Sequence, residues 1–256
     1  MAYISKEEKK IPINDPSGKW SDLTLLPEWG EEFYDVYTVR KHGKWVMIKS
    51  LKKEYADNPV YVRMLEREFD TRYNLNHPNL VMVNDLEMVP GVGMSIVTDD
   101  VYGYSLRQLI DEKKITSQIL DRLRTQFISA LTYIQENHIV HYPITPDTII
   151  FCEDTNNLKL INVGYDHRSE LSVHDTKDDI RCFGEVVGEV LDNLNVSMPR
   201  LRRIANSARD PEGPYNTIVD VQLDLQKRSG SRLLTWLCVF IILMLLVLVW
   251  LTLRLQ

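Results

Sequence analysis

Asp166, His167, Arg168, Glu170, His174, Asp175 and Asp178 crowd one short stretch of the chain. Carboxylates and imidazoles are the donors that hold hard cations and zinc, so metal binding is the chemistry such a stretch could do. Their spacing matches no recognised ligand pattern, and a solvated polar loop is the simpler expectation. The cysteines add nothing to it. Cys152, Cys182 and Cys238 are far apart and odd in number, form no Cys-x-x-Cys pair, and read as reduced, mostly buried thiols. Arg200, Arg202, Arg203 and Arg209 make a basic run on a helix expected from about residue 198. Leu201 and Ile204 turn inward on that helix, so the arginines read as a solvated face.

The elements that must position any site follow from periodicity. Residues 33–37 and 45–48 are short aromatic and β-branched runs about a turn at Lys41-His42-Gly43-Lys44, which predicts a hairpin. A charged helix is expected over 59–75, stopping before His77-Pro78, and strands over 80–89 and 94–98 flank Pro90-Gly91. From Ser105 the pattern turns helical, first over 106–112 and then over 118–137, where Leu120, Leu123, Phe127, Leu131 and Ile134 fall at three- and four-residue spacing. The net charge of −6 argues against nucleic acid as a main partner. Residues 233–253 carry no charge and at helical rise would cross a ~30 Å hydrocarbon core, so a transmembrane helix is expected there. Lys227, Arg228 and Arg232 precede this stretch and only Arg254 follows it, which places the folded part on the cytoplasmic side and the three cations against anionic lipid. Residues 1–10 have no apolar secretory core.

Several landmarks then resemble protein kinases in the right order. They are Val46-Met47-Ile48-Lys49, Glu68, Asn76-His77-Pro78-Asn79-Leu80-Val81, Gly103-Tyr104-Ser105-Leu106, the run from His141 to Thr148, the run from Leu158 to Gly164, and the start of a helix at Asp179. The resemblance covers roughly residues 20–226 and implies an α+β, two-lobed protein-kinase-like fold: a small β-rich N-lobe with one helix, and a shortened helical C-lobe. With the tail, the expected division is 1–19, an N-terminal segment; 20–102, the N-lobe; 103–226, the C-lobe; 227–232, a basic linker; and 233–253, the span. In that family Lys49 and Glu68 would be the pair that joins the third strand to the helix and reaches the nucleotide phosphates.

The same resemblance exposes departures. Phosphoryl transfer leans on a glycine-rich loop, a lysine, metal-binding Asp and Asn, and an Asp that accepts the hydroxyl proton. Pro143 stands at the position of that last Asp, Thr145 and Thr148 at the neighbouring lysine and metal-binding asparagine, and Asn162 at the metal-binding Asp. Trp29, Glu31 and Tyr34 replace the loop glycines, Met47 the small residue beneath the base, and Arg72 an apolar helix position. The expected function is accordingly a membrane-anchored pseudokinase that binds an unidentified protein partner as a scaffold or allosteric regulator, without catalysis. No cofactor is expected, with magnesium disfavoured. The alternative is a divergent ATP-binding kinase or nucleotidyl transferase that uses Lys49; a further one is a structural membrane spacer. Lys49 and Glu68 stand either as nucleotide contacts or as a purely architectural pair.

Overall fold

The computed structural model describes residues 9–139, 144–161, 173–194, 197–227, 240–242 and 244. Its first half is an antiparallel six-stranded sheet. The strands are β1 (Lys9–Lys10), β2 (Trp20–Leu25), β3 (Tyr34–Lys41), β4 (Lys44–Leu51), β5 (Val83–Val89) and β6 (Gly93–Asp99), in the order β1-β2-β3-β4-β6-β5. β3 and β4 form the expected hairpin. His42 and Gly43 both take left-handed backbone, φ 50° and 79°, the conformation a two-residue turn needs to match strand twist. Val46 to Leu51 are buried on both sides of the sheet, which makes β4 an interior strand and places Lys49 where water is scarce.

Helix α1 (Pro59–Tyr73) crosses this sheet. Asn58 caps it by accepting a hydrogen bond from the Val60 amide at 3.0 Å, and Pro59 takes the first turn, where its missing N–H costs nothing. Its buried residues are Leu65, Glu68 and Arg72, one face at helical spacing with two charges out of three.

The second half is helical around a small antiparallel sheet of β7 (Gly103–Ser105), β8 (Ile149–Cys152) and β9 (Leu158–Leu160). Helices α2 (Leu106–Asp111), α3 (Ser117–Arg122), α4 (Ile128–Glu136), α5 (Val173–Asn193), α6 (Pro199–Arg209) and α7 (Ile218–Gln226) surround a core that includes Leu123, Phe127, Leu131, Ile134, Phe183 and Ile204. Ser105 and Gln108 form a reciprocal capping box at the start of α2.

Two expectations are modified. The helix over 118–137 is interrupted by a π turn, Leu123–Phe127. That turn carries Gln126, whose amide oxygen accepts from Leu158 N at 2.7 Å and whose amide nitrogen donates to Asn157 Oδ1 at 2.8 Å. The strand over 80–89 begins only at Val83, because Leu80 and Val81 are held by the other lobe. Leu80 bridges to Leu160, Val81 N donates to Leu160 O at 3.1 Å, and Leu160 N donates to Asn79 O at 2.9 Å. The α6 arginines lie on a solvated face as expected, and there they also make surface pairs: Arg202 with Asp192, Arg203 with Asp224, and Arg209 donating to Glu185 O at 3.2 Å.

The expected membrane span and the localisation built on it are corrected. No helix among the described residues is long and apolar enough to cross a membrane. Apart from the helical Phe240 to Ile242 and Met244, residues 233–253 lie outside the described residues, as do Arg228 and Arg232. Lys227 follows α7, with Nζ 3.9 Å from Asp224.

Candidate functional site

The antiparallel register sets Val36 opposite Lys49 and Ile96 on the far side of it, so neighbouring strands wall in the lysine stem. Its Nζ lies 3.0 Å from Glu68 Oε1 and 2.8 Å from each oxygen of Glu31. Arg72 donates from Nη1 to Glu68 Oε1 at 2.7 Å. The Tyr34 ring is 4.3 Å from the ammonium, within cation–π range. None of these four charged side chains is more than 14% exposed. Two cations and two carboxylates balance, which is the condition under which charges remain below the surface. Burial pushes the Glu68 carboxyl up, but the charges of Lys49 and Arg72 outweigh it and hold it below its ordinary value.

Lys49 opens on a cavity between the lobes, lined also by Trp29, Val36, Met47, Thr98 and Ile161. Val36 and Met47 pack with Leu26 and against Trp29, giving the upper wall an apolar face. Asp147 and Thr148 reach the opposite rim. Thr148 Oγ1 donates to Thr145 O at 3.0 Å and accepts from Thr145 N at 3.2 Å, closing the short turn Pro146–Thr148. Asp147 Oδ2 is 3.6 Å from Arg107 Nε, and Arg107 also pairs with Glu189 of α5. Pro143 and Asn162 lie outside the described residues. Asp179 is buried and accepts from Gln135 Nε2 at 2.8 Å.

Sequence reasoning named Lys49 and Glu68 together, and the fold brings them into contact. It named Glu31 only as a replacement for a loop glycine and Arg72 only as a replacement for an apolar helix residue, and missed that both complete the same charge cluster. The four-residue spacing of Glu68 and Arg72 on one helix was the available signal for that pair. No local signal pointed to Glu31 meeting Lys49, since the contact depends on how the loop before β3 folds back over the sheet.

The geometry invites comparison with known proteins. Residues 32–180, more than half of the chain, match the model of the family described as protein kinase domain. The chain belongs to the protein kinase domain family. Among relatives of this kinase domain, the serine/threonine-protein kinase PrkC of Bacillus subtilis (strain 168) is 29% identical over 120 residues, 46% of this chain and 18% of PrkC. The serine/threonine-protein kinase PknD of Mycobacterium tuberculosis (strain ATCC 25618 / H37Rv) is 29% identical over 143 residues, 54% of this chain and 21% of PknD. The aligned part is thus about a fifth of the length of these curated relatives. Rad53 1–466, solved in complex with AMP-PNP, superposes with a TM-score of 0.59 at 18% identity, covering 78% of this chain and 64% of that one. That likeness shows the two-lobed fold.

These findings overturn the expectation of a non-catalytic scaffold. Kinase-family membership and serine/threonine-kinase relatives point to a kinase, and the family match runs through the stretch on which inactivity was argued. The substitutions at 143 and 162 identify residue types only. Lys49, one of the positions that keep the family's residue, faces a cavity.

Proposed function

We propose that this kinase domain binds ATP in the cavity beside Lys49 and transfers its terminal phosphoryl group to a protein hydroxyl. The observation that carries the reading is a single buried lysine, fixed by a helix carboxylate, opening on an apolar-walled cavity in a chain of the protein kinase family. The AMP-PNP complex of the structural relative Rad53 supports the choice of nucleotide.

The residues present fit the group. Val36, Met47 and Ile161 offer apolar surface for a base, and Thr98 adds a hydroxyl at the inner wall. Lys49 would hold phosphate oxygens, with Glu68 fixing its direction and Arg72 balancing Glu68. ATP supplies the activated phosphoryl group, and the protein's part is positioning and charge stabilisation more than covalent chemistry. This explains how a domain with Pro143 in place of the usual base can still be read as a transferase: a general base contributes about 10²–10⁴-fold, a fraction of the whole acceleration.

The test is label transfer from γ-labelled ATP by the full chain, to itself and to a generic protein substrate, against Lys49→Met. Incorporation that disappears in the variant, together with an ATP-induced rise in the wild-type melting temperature, is the expected result. No label and no shift in the wild type would overturn the proposal. Label from α-labelled ATP would redirect it to nucleotidyl transfer.

A further inference from the structure

The loop that should cover a nucleotide is itself folded into the cleft. It leaves β2 at Leu26, makes a single 3₁₀ turn over Pro27–Trp29, and returns through Gly30 and Glu31 to β3. Within the turn Trp29 N donates to Leu26 O at 3.1 Å and Gly30 N to Pro27 O at 3.2 Å, and the loop's ends are tied to the strands by Leu26 N to Val36 O at 2.8 Å, Glu31 N to Tyr34 O at 2.9 Å and Lys52 N to Phe33 O at 3.0 Å. Between those ends, two side chains seat it in the cleft. Trp29, half-buried, packs on Leu26, Val36 and Met47 above, and on the group formed by Val81, Val101 and Ile150 with Ile161 below. Glu31 sets both carboxylate oxygens 2.8 Å from Lys49 Nζ.

We infer that Trp29 and Glu31 form a built-in nucleotide mimic, a latch that competes with ATP for this site and sets how readily it is admitted. The inference rests on the nucleotide reading above. A planar aromatic ring bridging the two apolar walls stands where a base would be gripped, and a carboxylate bound through two oxygens to the lysine stands where phosphate oxygens would lie. Both occupants belong to one short loop, two residues apart, so one movement withdraws both. Until it does, Glu31 neutralises Lys49 and would repel an incoming phosphate. The apparent affinity for ATP is therefore the intrinsic affinity reduced by the fraction of molecules whose loop is open.

The two halves of the latch separate experimentally. Titrating the full chain by calorimetry with ATP and with adenosine, Glu31→Gln should bind ATP about tenfold more tightly than wild type, the size expected from loss of one charge-assisted contact, and should bind adenosine unchanged. Trp29→Ala should tighten both ligands. Glu31→Gln alters neither size nor shape, so it keeps the inference testable even where the tryptophan variant fails to fold. ATP binding that is equal or weaker in Glu31→Gln than in a wild type that binds would overturn the latch and leave the nucleotide reading standing. Tightening of adenosine by Glu31→Gln would refute the phosphate-mimic role. Absence of ATP and adenosine binding in wild type and both variants would overturn the latch and the nucleotide reading together, whereas binding that appears only in the variants would support the latch and overturn the reading that the wild-type domain binds ATP.

Discussion

Replacing Glu68 by Gln is the sharpest perturbation of the buried cluster. The substitution keeps the side chain's shape but removes the one carboxylate shared by Lys49 and Arg72. Lys49 retains Glu31, while Arg72, 5% exposed, loses the carboxylate it pairs with. Removing one partner of a buried ion pair costs about 3–5 kcal/mol, because the stranded charge has lost its hydration without compensation. For a domain of this size each kcal/mol shifts the melting temperature by about 2–4 °C, so a fall of about 6–20 °C is expected. If the stranded guanidinium is the cause, Glu68→Gln/Arg72→Met should recover part of the loss, which a double-mutant cycle in urea would report as strong coupling. The pH dependence gives an independent check. Glu68 holds its proton less readily folded than unfolded, so its contribution is complete above the unfolded value near 4.5 and is lost as pH falls through the lower folded value. The gap between wild type and Glu68→Gln should stay constant above about pH 5 and narrow in acid. A variant within about 1 kcal/mol of wild type at neutral pH, additive losses in the double variant, or a gap that widens on acidification would refute the reasoning.

Two further predictions concern the packing beneath the site. Gly103 sits in β7 so close to β8 that a Cβ would lie 2.0 Å from the Phe151 carbonyl oxygen. Gly103→Ala should therefore cost about 1–3 kcal/mol by forcing the strands apart, and an unchanged urea midpoint would show that β7 is not seated there. Burial pushes the Cys182 thiol up to about 11, so at pH 8 it should resist a thiol reagent in the native protein and react once denatured. Peptide mapping that finds native Cys182 labelled as fast as a free thiol would contradict its placement in the core.

Much of the architecture was legible as pattern. The hairpin about His42-Gly43, the helix opened by Asn58-Pro59 and the helical character from Ser105 onward rest on local rules of turn chemistry, capping and periodicity. Where the local reading failed, a distant partner had overruled it. Leu80 and Val81 have the composition of a strand but are claimed by Leu160, and the long apolar stripe after residue 118 is broken by a π turn whose Gln126 serves the chain at 157–158.

The candidate site divides in the same way. The sequence by itself determined the family, through the order of separate landmarks, and the intrahelical pair of Glu68 with Arg72, because four-residue spacing on a helix is contact. Reading Pro143 and Asn162 as proof of an inert scaffold went further than residue types can carry. Only the tertiary structure decided that Glu31 binds Lys49 and that Trp29 bridges the cleft walls. Those contacts depend on the path of a loop between β2 and β3, and a loop's path is fixed by what its side chains find across space, which no spacing along the chain encodes.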